Sequence, residues 1–187
     1  LRLVEYIHER GVLHRDIKPA NLLVGLGTHG NQIYMIDFGI AKMYRNPTTL
    51  QHNQELARDF TSHTTGTTLF ASARANLGQE QSRRDDLEAI GYVLMYLLRG
   101  SLPWKTKPDH NNLKQAAKEM WRLKTDNTYE TRHKRYPEEF AVYLRYCQHL
   151  RFDETPDCSY LRKLFKDLFV RIQYDSNIFD WNAPCRD

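Results

Sequence analysis

Four polar side chains near the start of the chain have the types and the spacing to do chemistry. Asp16, Lys18 and Asn21 fall within six residues of the loop His14–Asn21, and Asp37 follows sixteen residues after the asparagine. Asp16 can accept a proton from an attacking hydroxyl group, and Lys18 can neutralise negative charge on a transferring group. Asn21 and Asp37 offer the hard oxygen ligands that Mg²⁺ prefers. The set is therefore a candidate site for metal-assisted group transfer.

The elements on either side of this loop must hold its side chains in place. The apolar residues of Leu3–Ile7, with Tyr6 among them, fall on one face of a predicted helix, and Gly11 follows as its C-terminal cap. Pro19 prevents a regular helix within the loop, which favours a stiff backbone that fixes the polar side chains.

A short hairpin is predicted directly after the loop. Leu22–Val24 and Gln32–Ile36 have the composition of two strands. The residues between them, Gly25–Gly30, match the pattern G-x-G-x-x-G of dinucleotide-binding loops. Such a loop opens a helix, whereas a strand follows here. We therefore interpret Gly25–Gly30 as a hairpin loop whose glycines adopt positive φ angles.

A long polar segment, Ile40–Phe70, comes next and shows no strong period. Segments of this length in compact domains are usually functional or mobile. Near its end, Thr67 is predicted to place its hydroxyl group close to Asp16 and Lys18.

The stretch Asp86–Leu98 is apolar on almost every face, which predicts a helix buried nearly all round that ends at Arg99–Gly100. Asp86 at its start has two interpretations. It can accept hydrogen bonds from the backbone of the loop His14–Asn21, or it can be a carboxylate that interacts with the helix dipole. We favour the first.

Three further helices are predicted around Leu113–Leu123, Phe140–Leu150 and Leu161–Phe169, with Asp157 or Ser159 capping the last. The predicted fold is α+β: mainly α-helical, with a small β-hairpin near the candidate site.

Size and composition exclude several classes of protein. A length of 187 residues with 41% hydrophobic residues suits one globular domain with a sizeable core. A net charge of +4 is too small to indicate nucleic-acid binding by itself, and no apolar run reaches the ~20 residues of a membrane span. Three cysteines outside any C-x-x-C spacing indicate free thiols in a reducing compartment. We expect a monomer in the cytoplasm, the nucleus or both.

His14–Asn21 and Asp37–Gly39 together resemble the H-R-D-x-x-x-x-N and D-F-G motifs of eukaryotic protein kinases. Lys18, two residues after Asp16, resembles the serine/threonine type. Further stretches are similar to the casein kinase I family, in which Ala-Pro-Glu is also absent; Ala71–Ala73 stands in its place. These stretches are Gly25–Gly27, Tyr34–Gly39, Gly78–Glu88, Gly91–Tyr96, Gly100–Trp104, Leu150–Asp153, Pro156–Arg162 and Phe179–Trp181.

The resemblance implies a kinase that transfers the γ-phosphate of ATP, with Mg²⁺, to serine and threonine hydroxyl groups of proteins, acidic substrates among them. Asp16 would be the catalytic base, and Lys18 would lie beside the γ-phosphate. Asn21 and Asp37 would hold Mg²⁺. An isolated aspartate is more often a loop cap or a surface charge than a catalytic group, so the joint pattern carries the assignment.

The resemblance also assigns roles to apolar and aromatic residues. Leu23 and Ile36 would form the apolar floor beneath adenine and so contribute to nucleotide binding. His14 and Phe38 would be structural residues whose packing sets the active state.

One departure from the casein kinase I pattern concerns the choice of substrate. The family places an arginine two residues after a Gly-Thr pair, where it helps to bind an anion on primed substrates. Here Thr67 is followed by Thr68 and Leu69. Leucine cannot pair with phosphate, which puts a preference for primed substrates in doubt. Lys105, Lys107 and the cluster Arg132–Arg135 are other candidate anion contacts, although a solvated surface is the simpler interpretation.

By resemblance, residues 1–187 form the C-terminal lobe of a kinase domain. The glycine-rich loop, strand lysine and helix glutamate of an N-terminal lobe have no counterpart in these residues, so we expect negligible activity from the 187 residues alone. An alternative is a binding module made of this lobe only, which an upstream reading frame encoding the missing parts would exclude. A nucleic-acid-binding domain is the weakest alternative because no reader motif is present.

Overall fold

The computed structural model describes residues 1–55, 68–104, 113–126 and 136–173 of the chain. Within these ranges the fold is mainly helical, as predicted, with two small antiparallel sheets, of which only the β-hairpin was predicted. The elements are α1 (Arg2–Glu9), β1 (Val12–Leu13), β2 (Leu22–Val24), β3 (Ile33–Met35), β4 (Lys42–Met43), α2 (Ala73–Asn76), α3 (Arg83–Arg99), α4 (Leu113–Thr125), α5 (Glu138–His149) and α6 (Cys158–Arg171). Thr67, Lys105, Lys107, Arg132–Arg135 and Phe179–Trp181 lie outside the described residues.

Helix α1 packs against α3 through Val4 and His8, which are buried, whereas Leu3 and Tyr6 are exposed. The predicted apolar face is therefore wrong for Leu3 and Tyr6, because the buried surface follows the i, i+4 pair that faces α3. Gly11 ends the helix as predicted: its φ angle is +81°, and its N–H group donates to the His8 carbonyl at 2.9 Å.

Two strand pairs enclose the candidate site. Strand β1 pairs with β4, with Val12 opposite Met43. The chain between Leu13 and Lys42 therefore starts and ends at the same small sheet. Within that excursion β2 pairs with β3, with Leu22 opposite Met35, which confirms the predicted hairpin. The loop His14–Asn21 is thus anchored at both ends by backbone ladders.

The glycines of the hairpin loop do not all serve the predicted purpose. Gly27 has a φ angle of +56°, but Gly30 lies in the right-handed helical region at −56°. Gly25 is needed for a different reason: a Cβ atom on it would lie 2.3 Å from the backbone carbonyl oxygen of His29. The loop contains a short 3₁₀ turn, Gly27–His29, and this turn brings that carbonyl oxygen against Gly25.

Helix α3 is the central element, as predicted, but it begins earlier than expected. Ser82 is its N-cap residue, and the Ser82 N–H group donates to the Asp85 carboxylate at 2.7 Å; Gly100 ends the helix at a φ angle of +76°. The first turns are buried on every side, whereas Leu97 is 67% exposed and Leu98 is also exposed. The prediction of burial all round is therefore wrong for the last turn, which extends past the core.

The remaining helices complete the core around α3. Tyr143 of α5 donates its hydroxyl proton to the carbonyl of Leu87 at 2.9 Å, and a Cβ atom on Gly91 would clash with Leu144. Helices α3 and α5 therefore pack closely. Of the two predicted caps of α6, it is Asp157 whose side chain accepts from a backbone N–H group, that of Tyr160 at 2.8 Å. In the part of the chain that the structure describes, no helix is long and apolar enough to cross a membrane.

Replacing Gly25 by alanine should destabilise the hairpin because the new methyl group meets a backbone atom that cannot rotate away. We expect the free energy of unfolding to fall by about 1–3 kcal/mol, measured by chemical denaturation. The matched control is Gly27→Asn, where no atom lies within 4 Å of a new Cβ and asparagine tolerates the positive φ angle. Equal effects of the two substitutions would contradict this account of Gly25.

Candidate active site

The loop His14–Asn21 is anchored by one carboxylate of α3. The backbone N–H groups of His14 and Arg15 each donate to Asp86 at 2.9 Å, and His8 Nε2 also lies 2.9 Å from this carboxylate. Asp86 is 2% exposed, so these donors replace the water that an ionised carboxylate needs. The prediction that Asp86 accepts hydrogen bonds from the loop backbone is confirmed.

These donors also determine the charge of the anchor. Burial would raise the pKa of Asp86, but the hydrogen bond and positive charge of His8, with the N–H groups of Arg15 and His14, outweigh burial and lower the pKa. Arg15 lies in the left-handed region at a φ angle of +71°. This conformation is costly for a residue with a side chain, and its hydrogen bond to the ionised Asp86 offsets that cost.

The polar side chains of the loop are joined in one network. Lys18 Nζ lies 2.6 Å from Asp16 Oδ2. The amide nitrogen of Asn21 donates to the Asp16 carbonyl at 2.8 Å and more weakly to Asp16 Oδ2 at 3.3 Å. The structure therefore brings together three of the residues that the sequence analysis selected. The carboxylate of Asp16 is held by two donors and remains partly exposed, at 11% of its side chain.

A second contact ties the loop to the end of the hairpin. His14 accepts from the N–H group of Asp16 through Nδ1, at 3.3 Å, which leaves the ring proton on Nε2 to donate to the Ile36 carbonyl at 2.9 Å. The ring of Phe38 packs edge-on against His14, with 4.9 Å between centroids. The N–H group of Ile36 donates to the Asn21 carbonyl at 3.0 Å. These bonds fix the backbone of Ile36 and therefore the position from which Asp37 follows.

That residue, Asp37, has a conformation typical of functional sites. Its φ angle is +67°, in the left-handed region that is costly for aspartate outside turns. Its side chain is exposed, and Oδ1 accepts only a long bond from the Gly39 N–H group at 3.4 Å. Ile36, directly before Asp37, and Leu23 on β2 are also exposed.

Asn21 and Asp37 carry oxygen atoms of the kind that could hold a magnesium ion. The Asn21 nitrogen is engaged with Asp16, which leaves the harder carbonyl oxygen of the amide for a ligand. Asp37 supplies an exposed carboxylate. Among the described residues, no group of three or more His, Cys, Asp or Glu side chains could hold a metal ion. Magnesium is commonly held by one or two protein oxygens together with substrate phosphates, which matches this sparse set.

Two further acids of α3 hold the segment that passes beside the loop. Ser72 donates its hydroxyl proton to Asp85, and the Ser82 N–H group donates to the other oxygen at 2.7 Å. Glu88 accepts from the Ala73 N–H group at 2.9 Å. Asp16 and Ala71 line one narrow cleft together with Asp85 and Asp86. The start of α3 therefore supports both walls of the candidate site.

Sequence reasoning missed several of these supports. His8, Ser72 and Glu88 were not selected, because each has its partner far away in the sequence. The pattern Ser82-x-x-Asp85 is a recognisable capping box and would have placed the start of α3 correctly.

Two arginines at the start of α3 bind backbone carbonyl groups. Arg83 donates to the Asp153 carbonyl at 2.5 Å, and Arg84 donates to the Leu150 carbonyl at 3.2 Å. Both arginines therefore anchor local structure. Thr67, the remaining candidate, lies outside the described residues.

The arrangement can orient a hydroxyl group at Asp16 and stabilise negative charge at Lys18. Comparison with known families adds a finding to this geometry: the model of a family described as the protein kinase domain matches residues 1–169 of the chain. The match covers every residue of the candidate site.

Replacing Asp86 by asparagine should break the anchor, because either orientation of the amide turns its NH₂ group toward an N–H donor. We expect a loss of about 3–5 kcal/mol in the free energy of unfolding, the usual cost of removing one partner of a buried charge network. Amide hydrogen exchange of His14 and Arg15 should accelerate, as measured by mass spectrometry.

The control for this substitution is Asp85→Asn on the neighbouring residue. Its new amide can still accept from the Ser82 N–H group and can donate to Ser72 Oγ. We expect a much smaller loss of stability and unchanged exchange at His14 and Arg15. Similar losses for the two variants would contradict the anchoring role of Asp86.

Asp85 also predicts a pH dependence of opposite sign to that of most carboxylates. Burial raises its pKa from 3.8 to about 6, against the hydrogen bonds from Ser72 and Ser82. The folded state therefore holds a proton that the unfolded state has released, and the stability that this proton contributes is lost as pH rises from about 4 to about 6. The stability difference between wild type and Asp85→Asn should move in favour of the variant across this window in urea titrations. A stability difference between the two proteins that stays constant across this window would contradict the raised pKa of Asp85.

Proposed function

Because the chain belongs to the protein kinase family, we propose that it transfers the γ-phosphoryl group of ATP to serine and threonine hydroxyl groups of proteins, as a kinase of the casein kinase I type. The observation that carries this proposal is the network of Asp16, Lys18 and Asn21, anchored through the loop backbone to Asp86. It provides an oriented carboxylate and a cation 2.6 Å apart.

Asp16 is proposed to orient the hydroxyl group of the protein substrate and to accept its proton. Its carboxylate is partly exposed and held by Lys18 and Asn21, so it can receive a hydrogen bond without turning away. General bases of this kind contribute roughly 10²- to 10⁴-fold in rate. A fixed orientation matters because the transition state of phosphoryl transfer is loose and needs positioning more than covalent help.

Lys18 is proposed to stabilise charge on the phosphoryl group as it moves. Its ammonium lies beside Asp16, so the charge is placed where the hydroxyl and the phosphate must meet. Magnesium, held by Asn21 and Asp37, would supply further neutralisation of phosphate charge. Leu23 and Ile36 are exposed apolar residues of the hairpin. We propose that they contact the adenine ring of ATP, which is the most apolar part of the nucleotide.

Three features support the finer assignment. Lys18 has the position typical of serine/threonine kinases, and Ala71–Ala73 stands where most kinases have Ala-Pro-Glu, a motif that the casein kinase I family also lacks. The mainly helical fold with the loop at its start suits the C-terminal lobe of the domain, which we propose for residues 1–187. Leu69 is partly buried against the core, so we propose that substrate choice does not use a phosphate contact at this residue.

The test uses the full-length product of the gene that encodes this chain, with casein, Mg²⁺ and labelled ATP. Wild type should place phosphate on serine and threonine, as read by phosphoamino acid analysis. Asp16→Asn should lower kcat by roughly 10²- to 10⁴-fold while the KM for ATP changes little.

Lys163→Met serves as the control, because Lys163 is an exposed lysine of α6 that pairs with Asp167 on the surface. It should leave kcat unchanged, whereas Lys18→Met should lower it. A folded wild-type protein that labels no casein, or an active Asp16→Asn variant, would overturn the proposal.

A further inference from the structure

One lysine is buried in the described core, near the end of α4. Lys124 is 6% exposed, and its Nζ donates to the carbonyl oxygens of Thr68 at 3.0 Å and Ala71 at 2.6 Å. The rings of Tyr92 and Trp104 face the same nitrogen, with 4.9 and 5.4 Å to their centroids. A lysine in such a setting is costly to bury, so its contacts define a specific site.

The segment that Lys124 holds is a wall of the candidate active site. Ala71 and Ser72 line the cleft that also contains Asp16. A polypeptide whose hydroxyl group reaches Asp16 would therefore come close to Ala71 and Ser72. The backbone position of this segment sets where the substrate chain can lie.

Lys124 belongs to a set of side-chain donors that bind the carbonyl groups of this segment. Trp104 Nε1 donates to the Leu69 carbonyl at 2.8 Å, so carbonyls of three residues between 68 and 71 receive side-chain donors. From α3, Asp85 and Glu88 hold the following residues through acceptors. These donors and acceptors together fix the segment, and Lys124 supplies two of the three carbonyl contacts.

The tether does not depend on the charge of the lysine. Burial lowers the pKa of Lys124 to about 7, although the nearby charge of Glu88 opposes the shift. A neutral amine retains two N–H donors, which equals the number of carbonyl oxygens it contacts. Both forms can therefore hold Thr68 and Ala71. By contrast, Lys118 on the same helix is exposed and is an ordinary surface residue.

We propose that Lys124 is a positioning residue for phosphoryl transfer, which fixes Thr68–Ala71 as the surface against which the protein substrate aligns with Asp16. This inference rests on the proposed kinase function. It assigns no contact between Lys124 and the substrate: the lysine acts through the backbone carbonyls of the segment.

The test compares Lys124→Met with Lys118→Met in the full-length gene product. Methionine keeps the length and the apolar stem but removes both donors. We expect kcat/KM for casein to fall roughly 10- to 100-fold in Lys124→Met, mainly through KM, because the segment loses two hydrogen bonds. The KM for ATP should stay within about twofold of wild type. Lys118→Met should match wild type in every parameter.

Amide hydrogen exchange of peptides spanning residues 68–73 gives a second readout that needs no activity. Exchange there should accelerate in Lys124→Met and not in Lys118→Met, while exchange at His14 and Arg15 stays slow. If Lys124→Met fails to fold, Trp104→Phe replaces it, because this variant removes the donor to Leu69 and keeps an aromatic ring. We expect it to raise the KM for casein, to leave the KM for ATP nearly unchanged, and to give the same exchange pattern.

The outcomes separate the two proposals. A wild-type protein that labels no casein refutes the proposed function, and the exchange experiment still decides the role of Lys124. Unchanged exchange at residues 68–73 overturns the inference. A parallel loss in the parameters for casein and ATP also overturns it, because that result shows a general structural role.

Discussion

The whole site depends on one buried carboxylate. Removing an ionised aspartate from water costs several kcal/mol, and only a full set of donors offsets that cost. Asp86 has such a set in His8 and in the N–H groups of His14 and Arg15. Because the donors come from α1 and from the loop, the carboxylate is stable only when both are packed on α3. Folding of the core and assembly of the loop are therefore one event.

The same helix start organises the opposite wall of the cleft. Consecutive residues of a helix point in directions about 100° apart, so neighbouring acids reach different partners. Asp86 faces the loop, whereas Asp85 and Glu88 receive Ser72 and Ala73 from the segment on the other side. One rigid turn thus sets the distance between the two walls. The contacts of Lys124 then hold the part of the segment that these acids do not reach.

The elements that were predicted correctly share a local signal. Asp86 stands at the start of the apolar run that predicted its helix, and acceptance of hydrogen bonds from the loop was the favoured one of its two interpretations. The exposure of Leu97 could not be predicted, because periodicity shows which residues are apolar and not where the core ends. Lys124 is a lysine in a polar helix, which normally indicates a surface residue, and its burial depends on a segment more than fifty residues earlier in the sequence. Gly25 depends on a carbonyl that only the folded loop brings near.

The residues that would react and the residues that position them differ in burial for a physical reason. Asp16 and Lys18 must exchange contacts with substrate, so they stay partly exposed, at 11% and 24% of their side chains, and hold each other across 2.6 Å. A short exposed loop cannot fix such groups by itself, since few of its atoms are excluded from water. The fixed positions of its side chains must therefore come from buried partners. Asp86 is such a partner, because it binds the two residues immediately before Asp16. Variation that leaves the reacting residues intact but alters this anchor should therefore change the site as strongly as variation in the loop itself.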